Sequence, residues 1–210
     1  MTALKNEVKI DWLKYENEAK ADGFNVVCGI DEAGRGPLAG PVCAAAVILP
    51  DGCIIDGVND SKKLTEKKRE QLFEVIKETA VAYSIATADE KEIDEINILQ
   101  ATYLAMNRAF NGLKIKPDMA LVDGNRDPNL GIPTRTIVKG DAASMSIAAA
   151  SILAKVTRDR FMLEMDKKYP EYQFAKHKGY GTNLHYEMLD KYGASEIHRM
   201  SFLRKYYENK

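Results

Sequence analysis

The sequence predicts an α/β fold: a mixed β-sheet with helices on its faces. Two patterns carry that expectation. In the first half, three apolar or β-branched runs read as strands, and the short link between the first two suggests an antiparallel meander. Further along, strand-like runs alternate with helical periodicities.

The elements follow in chain order. Residues 8–20 carry Ile10, Trp12, Leu13 and Tyr15 among charges and read as a short helix. "FNVVCGID" (24–31) and "GPVCAAAVIL" (40–49) read as strands, the second stopped by "PDG". Thr65, with Lys67 and Lys68, opens a helix running to about Thr79, and "AVAYSIATA" (80–88) is a third strand. Over 97–113, Ile98, Tyr103, Leu104, Met106 and Phe110 recur at helical spacing between an Asn97 cap and a Gly112 stop. "MALVDGN" (119–125) and "TRTIVKGD" (134–141) are two more short strands. A long helix spans 142–169, with Ala and Ser small enough over its first half to lie close against a sheet, and another helix covers 183–192. No internal repeat or low-complexity linker divides the chain.

The 210 residues suit one domain, and a 45% hydrophobic content suits a real core. No apolar run approaches the roughly 20 residues that span a membrane. The first residues lack the pattern of a secretion signal, so the chain reads as cytoplasmic. Cys28, Cys43 and Cys53 are odd in number and match no zinc or redox spacing. Cys28 and Cys43 fall in strand-like runs, as buried small apolar residues do. Charge is nearly balanced, with 30 Lys+Arg against 31 Asp+Glu. Residues 155–210 hold 12 basic against 8 acidic residues, and the remainder 18 against 23. A phosphate backbone would sit better on the basic end, although scatter over a solvated surface is the plainer account.

The chemistry concentrates where elements end. "GIDEAGRGPLAGP" (29–41) closes the first strand with Asp31 and Glu32; Asp123 closes the fourth in "LVDGN"; Asp141 opens the long helix in "KGDAAS". Such positions tend to gather in one crevice of an α/β sheet. Neighbours on a strand point to opposite faces, so Asp31 and Glu32 aim together only if the chain leaves the strand between them. Each acid also has an ordinary reading: a helix cap for Asp141, a turn residue for Asp123, an exposed strand end for the pair. Four carboxylates in one crevice raise each other's pKa unless a cation neutralises them. Oxygen ligands without a cysteine or histidine motif favour Mg²⁺ or Mn²⁺, and two such ions are a common apparatus for attack on a phosphodiester. A second marked stretch is "FAKHKGYGTNLH" (174–185), where Tyr180 stands between glycines in a basic loop. It either stacks on a sugar or base, or packs back on the body. His177 and His185 match no metal spacing and read as hydrogen-bonding residues.

Taken together, "GIDEAGRGPLAGPVCAAAVIL", "DSKKLT", "LVDGN", "KGDAASMSIAAASILAKVTRD" and "HKGYGT" resemble, in order, bacterial ribonuclease HII. The resemblance runs from about residue 25 to 185. It implies a ribonuclease H-like fold with a five-stranded mixed sheet, helices on both faces and a helical C-terminal addition. On that reading 1–24 is an N-terminal helical extension, 25–182 the catalytic core and 183–210 a helical segment packed on it. The resemblance assigns catalysis and the binding of two Mg²⁺ or Mn²⁺ ions to Asp31, Glu32, Asp123 and Asp141. It places substrate contacts on Gly34, Arg35, Gly36, Lys62, Lys155 and Tyr180, with Tyr180 sensing the junction. It implies an enzyme that cleaves the RNA strand of RNA/DNA hybrids, and the 5′ side of single ribonucleotides in duplex DNA, leaving 3′-hydroxyl and 5′-phosphate ends; a monomer is expected, although the sequence alone does not settle oligomeric state. Glycines bring the main chain close enough to test for a 2′-hydroxyl. The sister ribonuclease HIII has a different glycine segment and a sizeable N-terminal domain, for which about 24 residues are too few. Two competing readings are a junction resolvase of the same broad fold, which would not need a 2′-hydroxyl, and a non-catalytic nucleic-acid-binding protein.

Overall fold

The apolar run after Phe24 becomes β1 (Val27–Ala33), which is paired antiparallel with β2 (Val42–Ile48), itself antiparallel to β3 (Ala82–Ala88). This is the expected meander. β4 (Met119–Asp123) and β5 (Thr134–Ile137) join the other side of β1 in parallel, giving the order β3-β2-β1-β4-β5. The computed structural model describes residues 10–208.

Alternation along the strands feeds two cores. Cys28, Ile30, Val42, Ala44, Ala46 and Val122 pack on one face with Ala101, Ala105 and Met106 of α3 (Glu90–Asn111). Cys43, Ala45 and Val47 pack on the other, with α2 (Glu66–Thr79) and α4 (Met145–Lys168). Because both faces are covered, every residue of β2 is buried. The small residues of α4 do what their size allows. A Cβ on Gly29 would lie 2.2 Å from the main-chain carbon of Ser146, so helix and strand touch backbone to backbone. Deeper along α4, Ile152 and Leu153 are fully buried, and truncating either to alanine would cost roughly 2–5 kcal/mol.

Several boundaries differ from the sequence reading. β1 continues through Asp31 and Glu32 to Ala33 instead of ending between them. α3 begins seven residues early, at Glu90, under a capping box in which Asp89 accepts from the Glu92 N–H and Glu92 accepts from the Asp89 N–H. Asn97 has φ 66° and breaks the helix, and its Oδ1 caps the second part by accepting from Leu99 and Gln100. The long helix starts at Met145 with Ser144 as its cap; Asp141 sits in a preceding 3-10 turn, Gly140–Ala142. At the N-terminus, α1 spans Lys14–Ala21, with Trp12 and Leu13 in the turn before it; residues 8 and 9 of the predicted helix lie outside the described residues. Glu16 of α1 ties it to the start of α4 by accepting from the Ser144 and Ser146 hydroxyls.

Beyond α4 come α5 (Phe174–His177), α6 (Asn183–Tyr192) and α7 (Met200–Glu208). Phe174, Leu189, Ile197 and Leu203 pack there with Leu38, Ala39 and Met162, which joins this end to the segment after β1. All three cysteines are free, and burial pushes the Cys28 and Cys43 thiols up to about 12. Among the described residues no helix is long and apolar enough to cross a membrane.

Candidate active site

The sheet register brings the first two acids together. The last β1–β4 pair is Ile30 with Val122, and Asp31 and Asp123 are the next residue on each strand. Parallel neighbours in register share a face. Leu121 packs there on Ile147 of α4, and Gly29 lies against Ser146, so both acids face the start of that helix. Asp123 accepts from the Gly140 N–H at 2.6 Å, which anchors the turn carrying Asp141. Glu32 leaves the opposite face of β1. It joins Asp123 in a crevice of about 340 Å³ that is also lined by Arg35, Tyr103, Asn125 and Arg126. The two adjacent carboxylates thus both come near Asp123 without a break in the strand, because β4 has already ended beside them.

The charges respond accordingly. Burial, and then the charges of Glu32, Asp123 and Asp141, hold the Asp31 carboxyl well above its ordinary range, against the lowering effect of the Glu32 N–H at 2.6 Å. Glu32 is raised by burial and by Asp123, with Arg35, 3.5 Å away, opposing. Asp141 is raised by burial, then by Asp123 and Asp60. Lys62 reaches 3.9 Å from Asp141, and its side chain is largely exposed. Partial burial works against its charge, but Asp141, Asp31, Asp60 and Asp123 together leave its pKa raised. Asp60, in the "DSKKLT" stretch, is an acid the sequence reading passed over; its side chain accepts from the Lys62 N–H.

The remaining predicted contacts divide. Arg35 and Gly36 are exposed, and a Cβ on Gly36 would lie 3.8 Å from the Tyr180 ring, so the glycine segment and the tyrosine loop are neighbours. Gly34 is different. It is buried at φ +95°, its carbonyl accepts from Arg199, and a Cβ there would lie 2.1 Å from Arg158 Nε. The structure thus places it in the packing and turn geometry beneath the exposed Arg35 and Gly36. Lys155 is also engaged: its ammonium donates to Asp159 at 2.7 Å, and Asp159 pairs with Arg69, which holds the Ser61 and Leu64 carbonyls. That network fixes the segment carrying Lys62. Tyr180 is 43% exposed, with the Arg158 guanidinium 5.8 Å from its ring centre. His177 and His185 are buried hydrogen-bonding residues, as expected. His185 Nδ1 lies 3.0 Å from the Tyr180 carbonyl, and its Nε2 2.9 Å from His198 Nε2. A second, apolar pocket of about 360 Å³ lies at the opposite end of the strands, near Leu13, Val27, Ile48 and Pro50, away from all four acids.

Residues 28–205 match the family model for ribonuclease HII. The chain belongs to the ribonuclease HII family. A ribonuclease HII of Caldicellulosiruptor bescii is 59% identical over 194 residues, covering 92% of this chain and 94% of that protein. The ribonuclease HII of Clostridioides difficile is 56% identical, over 95% of this chain and 79% of its own length. Among solved structures, the ribonuclease H2 of Pyrococcus horikoshii superposes with a TM-score of 0.74 at 32% identity, covering 88% of this chain and 98% of that one. This chain is accordingly a ribonuclease H, a hydrolase acting on nucleic acid, and its mixed five-stranded sheet with flanking helices is the ribonuclease H-like fold. Membership sets aside the junction-resolvase and non-catalytic readings, and it favours ribonuclease HII over its sister HIII.

The ribonuclease HII family works with divalent metal. Among the described residues, no group of three or more acidic, histidine or cysteine side chains forms a ready metal cage. Mg²⁺ and Mn²⁺ do not require one; Mg²⁺ in particular is often held by one or two carboxylates, with water and substrate phosphate completing the shell. Carboxylates that are largely buried and raise one another's pKa, with Arg35, Lys62 and Arg126 around them, fit such a cation.

Proposed function

We propose that this ribonuclease HII cleaves the RNA strand of RNA/DNA hybrids and the 5′ side of single ribonucleotides embedded in duplex DNA, leaving 3′-hydroxyl and 5′-phosphate ends. One observation carries the reading. The strand that bears Asp31 and Glu32 runs directly into an exposed glycine segment whose Gly36 adjoins the Tyr180 ring. A group that holds the reacting phosphate and groups suited to testing the neighbouring sugars therefore lie within one short stretch of surface.

Asp31, Glu32, Asp123 and Asp141 would hold two Mg²⁺ or Mn²⁺ ions. Bound there, the ions supply the charge neutralisation and water activation that in-line attack on a phosphodiester needs. Without cations the same carboxylates repel phosphate. Lys62, exposed beside Asp141, adds a positive group at the mouth of the site. Arg35, half exposed and 3.5 Å from Glu32, is placed to meet the backbone of the cut strand. Gly36 lets the main chain approach the ribose, where a 2′-hydroxyl separates RNA from DNA. Tyr180 stacks against the sugar on the 3′ side. We take the protein to act as a cytoplasmic monomer.

The test uses matched duplexes carrying one ribonucleotide, four, and none, incubated with Mg²⁺, with Mn²⁺ and with EDTA. Cleavage 5′ to the ribonucleotide, confined to the first two duplexes and lost in EDTA, is expected. Equal cutting of the all-DNA duplex would remove 2′-hydroxyl sensing, and full activity in EDTA would remove the metal mechanism.

A further inference from the structure

We propose that Arg158 and Arg199 form a buried guanidinium clamp that holds the carbonyls of segment 34–41 from beneath, turns the Arg35 and Gly36 N–H groups outward, and places positive charge under them for the phosphate backbone. The proposal rests on the reading that this segment meets the ribose.

The two side chains are nearly sealed from solvent, Arg158 at 1% exposure and Arg199 at 0%. Arg199 donates from Nε to the Gly40 carbonyl at 2.8 Å, from Nη1 to Arg35 at 3.0 Å and from Nη2 to Gly34 at 2.6 Å. Arg158 donates from Nε to Pro41 at 3.0 Å, from Nη1 to Lys178 at 3.0 Å and from Nη2 to Ala39 at 3.1 Å. All six bonds end on main-chain carbonyls and none on a carboxylate. Buried charge is ordinarily matched by an opposite charge, because desolvation is otherwise unfavourable. Here two like charges are buried side by side. Burial, and then the charge of Arg158, bring Arg199 down to about 9, against the weaker pull of Tyr180, Asp94 and Glu90. Asp159 offsets part of the Arg158 charge, but no carboxylate bonds either guanidinium directly, and the substrate's phosphates would supply further counter-charge.

The clamp also dictates what the segment offers. A trans peptide unit is planar, with its C=O and N–H on opposite sides. Drawing the Gly34 and Arg35 carbonyls inward turns the N–H groups of Arg35 and Gly36 the other way. Arg35 and Gly36 are the exposed residues of this stretch, so those donors face outward. The segment therefore presents donors, suited to phosphate or 2′-hydroxyl oxygens, and no free carbonyl at 34 or 35. The same clamp reaches the second recognition element: Arg158 holds the Lys178 carbonyl and lies by the Tyr180 ring, and the Leu38 N–H donates to Gly179. Arg158 and Arg199 are positioning residues, acting through the segment and the tyrosine loop.

The experiment separates geometry from charge. Arg199→Lys keeps the charge and loses the fork; Arg199→Met loses both. Each is compared with wild type for its melting curve, for kcat/KM on a single-ribonucleotide duplex, and for affinity to an all-DNA duplex at several salt concentrations. Arg199→Lys is expected to lose about 10- to 100-fold in kcat/KM, as small misplacements do. Its DNA affinity and salt slope should stay within about twofold of wild type, since both follow charge. Arg199→Met is expected to weaken DNA binding as well. A folded Arg199→Lys that cuts within about twofold of wild type overturns the clamp. Gly36→Ala, measured in parallel, tests the underlying reading: if it is crippled while Arg199→Lys is not, only the clamp falls, and if both cut normally the reading itself falls. Should the Arg199 variants fail to fold, the Arg158 and Arg199 Nε–H resonances decide, in an Asp31→Asn background that spares the duplex. They are expected to respond differently to ribonucleotide-containing and all-DNA duplexes, and identical responses overturn the proposal.

Discussion

Adding one methyl group at Gly34 or at Gly36 should produce opposite failures. At Gly34 the backbone sits at φ +95°, where a side chain costs about 1–2 kcal/mol. The new Cβ would lie 2.1 Å from Arg158 Nε and 2.8 Å from the Pro41 carbonyl, so the guanidinium must move and lose its bond to that carbonyl. A hydrogen bond to a charged group contributes about 1.5–3 kcal/mol. The sum, about 2.5–5 kcal/mol, corresponds to a melting temperature roughly 5–20 °C lower for a chain of this size. Gly36 has ordinary φ, and its Cβ would meet only the Tyr180 ring, at 3.8 Å. Gly36→Ala should therefore melt within about 2 °C of wild type, as surface substitutions do. It should nonetheless lose about 10- to 100-fold in kcat/KM on a single-ribonucleotide duplex, because the methyl holds the main chain off the sugar. Circular-dichroism melting beside steady-state cleavage reads both effects. A Gly36→Ala enzyme with wild-type kcat/KM, or a Gly34→Ala enzyme that melts with wild type, refutes the division of roles.

Asp31→Asn should cut turnover by orders of magnitude yet raise the metal-free melting temperature, since it removes a buried charge that Glu32, Asp123 and Asp141 oppose; a lower melting temperature would contradict that electrostatic picture. Tyr180→Ala should lose about 5- to 200-fold in kcat/KM at a single ribonucleotide, from about 1–3 kcal/mol of stacking, and Tyr180→Phe less; wild-type cleavage by Tyr180→Ala would make it a packed loop residue. Burial holds His185 and His198 down at about 4 against an ordinary 6.5, so their contribution to stability is complete above 6.5 and lost as pH falls towards 4. Imidazole resonances of either ring with a midpoint near 6.5 would count against this. Asp89→Ala should cost about 1 kcal/mol and leave kcat unchanged, which a melting curve and a cleavage assay would check.

The meander was legible because "FNVVCGID", "GPVCAAAVIL" and "AVAYSIATA" are plainly strand-like and their turns plainly turns. The first part of α3 also had its signal, Asp89 followed three residues later by Glu92, but that stretch is too charged for apolar periodicity to reveal it. The gathering of Asp31, Asp123 and Asp141 follows from a parallel register and a 3-10 turn, and the sequence suggested it through acids at element ends. How Glu32 joins them was not legible, because that depends on β4 stopping one residue short of it. Nor was the difference between Gly34 and Gly36, which is set by Arg199, 165 positions along the chain from Gly34. Lys155 is the opposite case: its partner Asp159 lies one helical turn on, a spacing visible in the sequence itself.

The contact of α4 with β1 at Gly29 makes the helix a ruler. Its start is held against the strand by Ser146, beside the turn that carries Asp141, and further along the same rigid rod Arg158 grips Ala39 and Pro41. The spacing between the acids and the glycine segment is thus measured by helical rise, about 1.5 Å per residue. Removing one residue from the Ala148–Ala154 stretch would draw Arg158 nearer by only that much, but would swing it about 100° around the helix axis. The grip would then face the wrong way, and the acids and the glycine segment would fall out of step although neither had been altered.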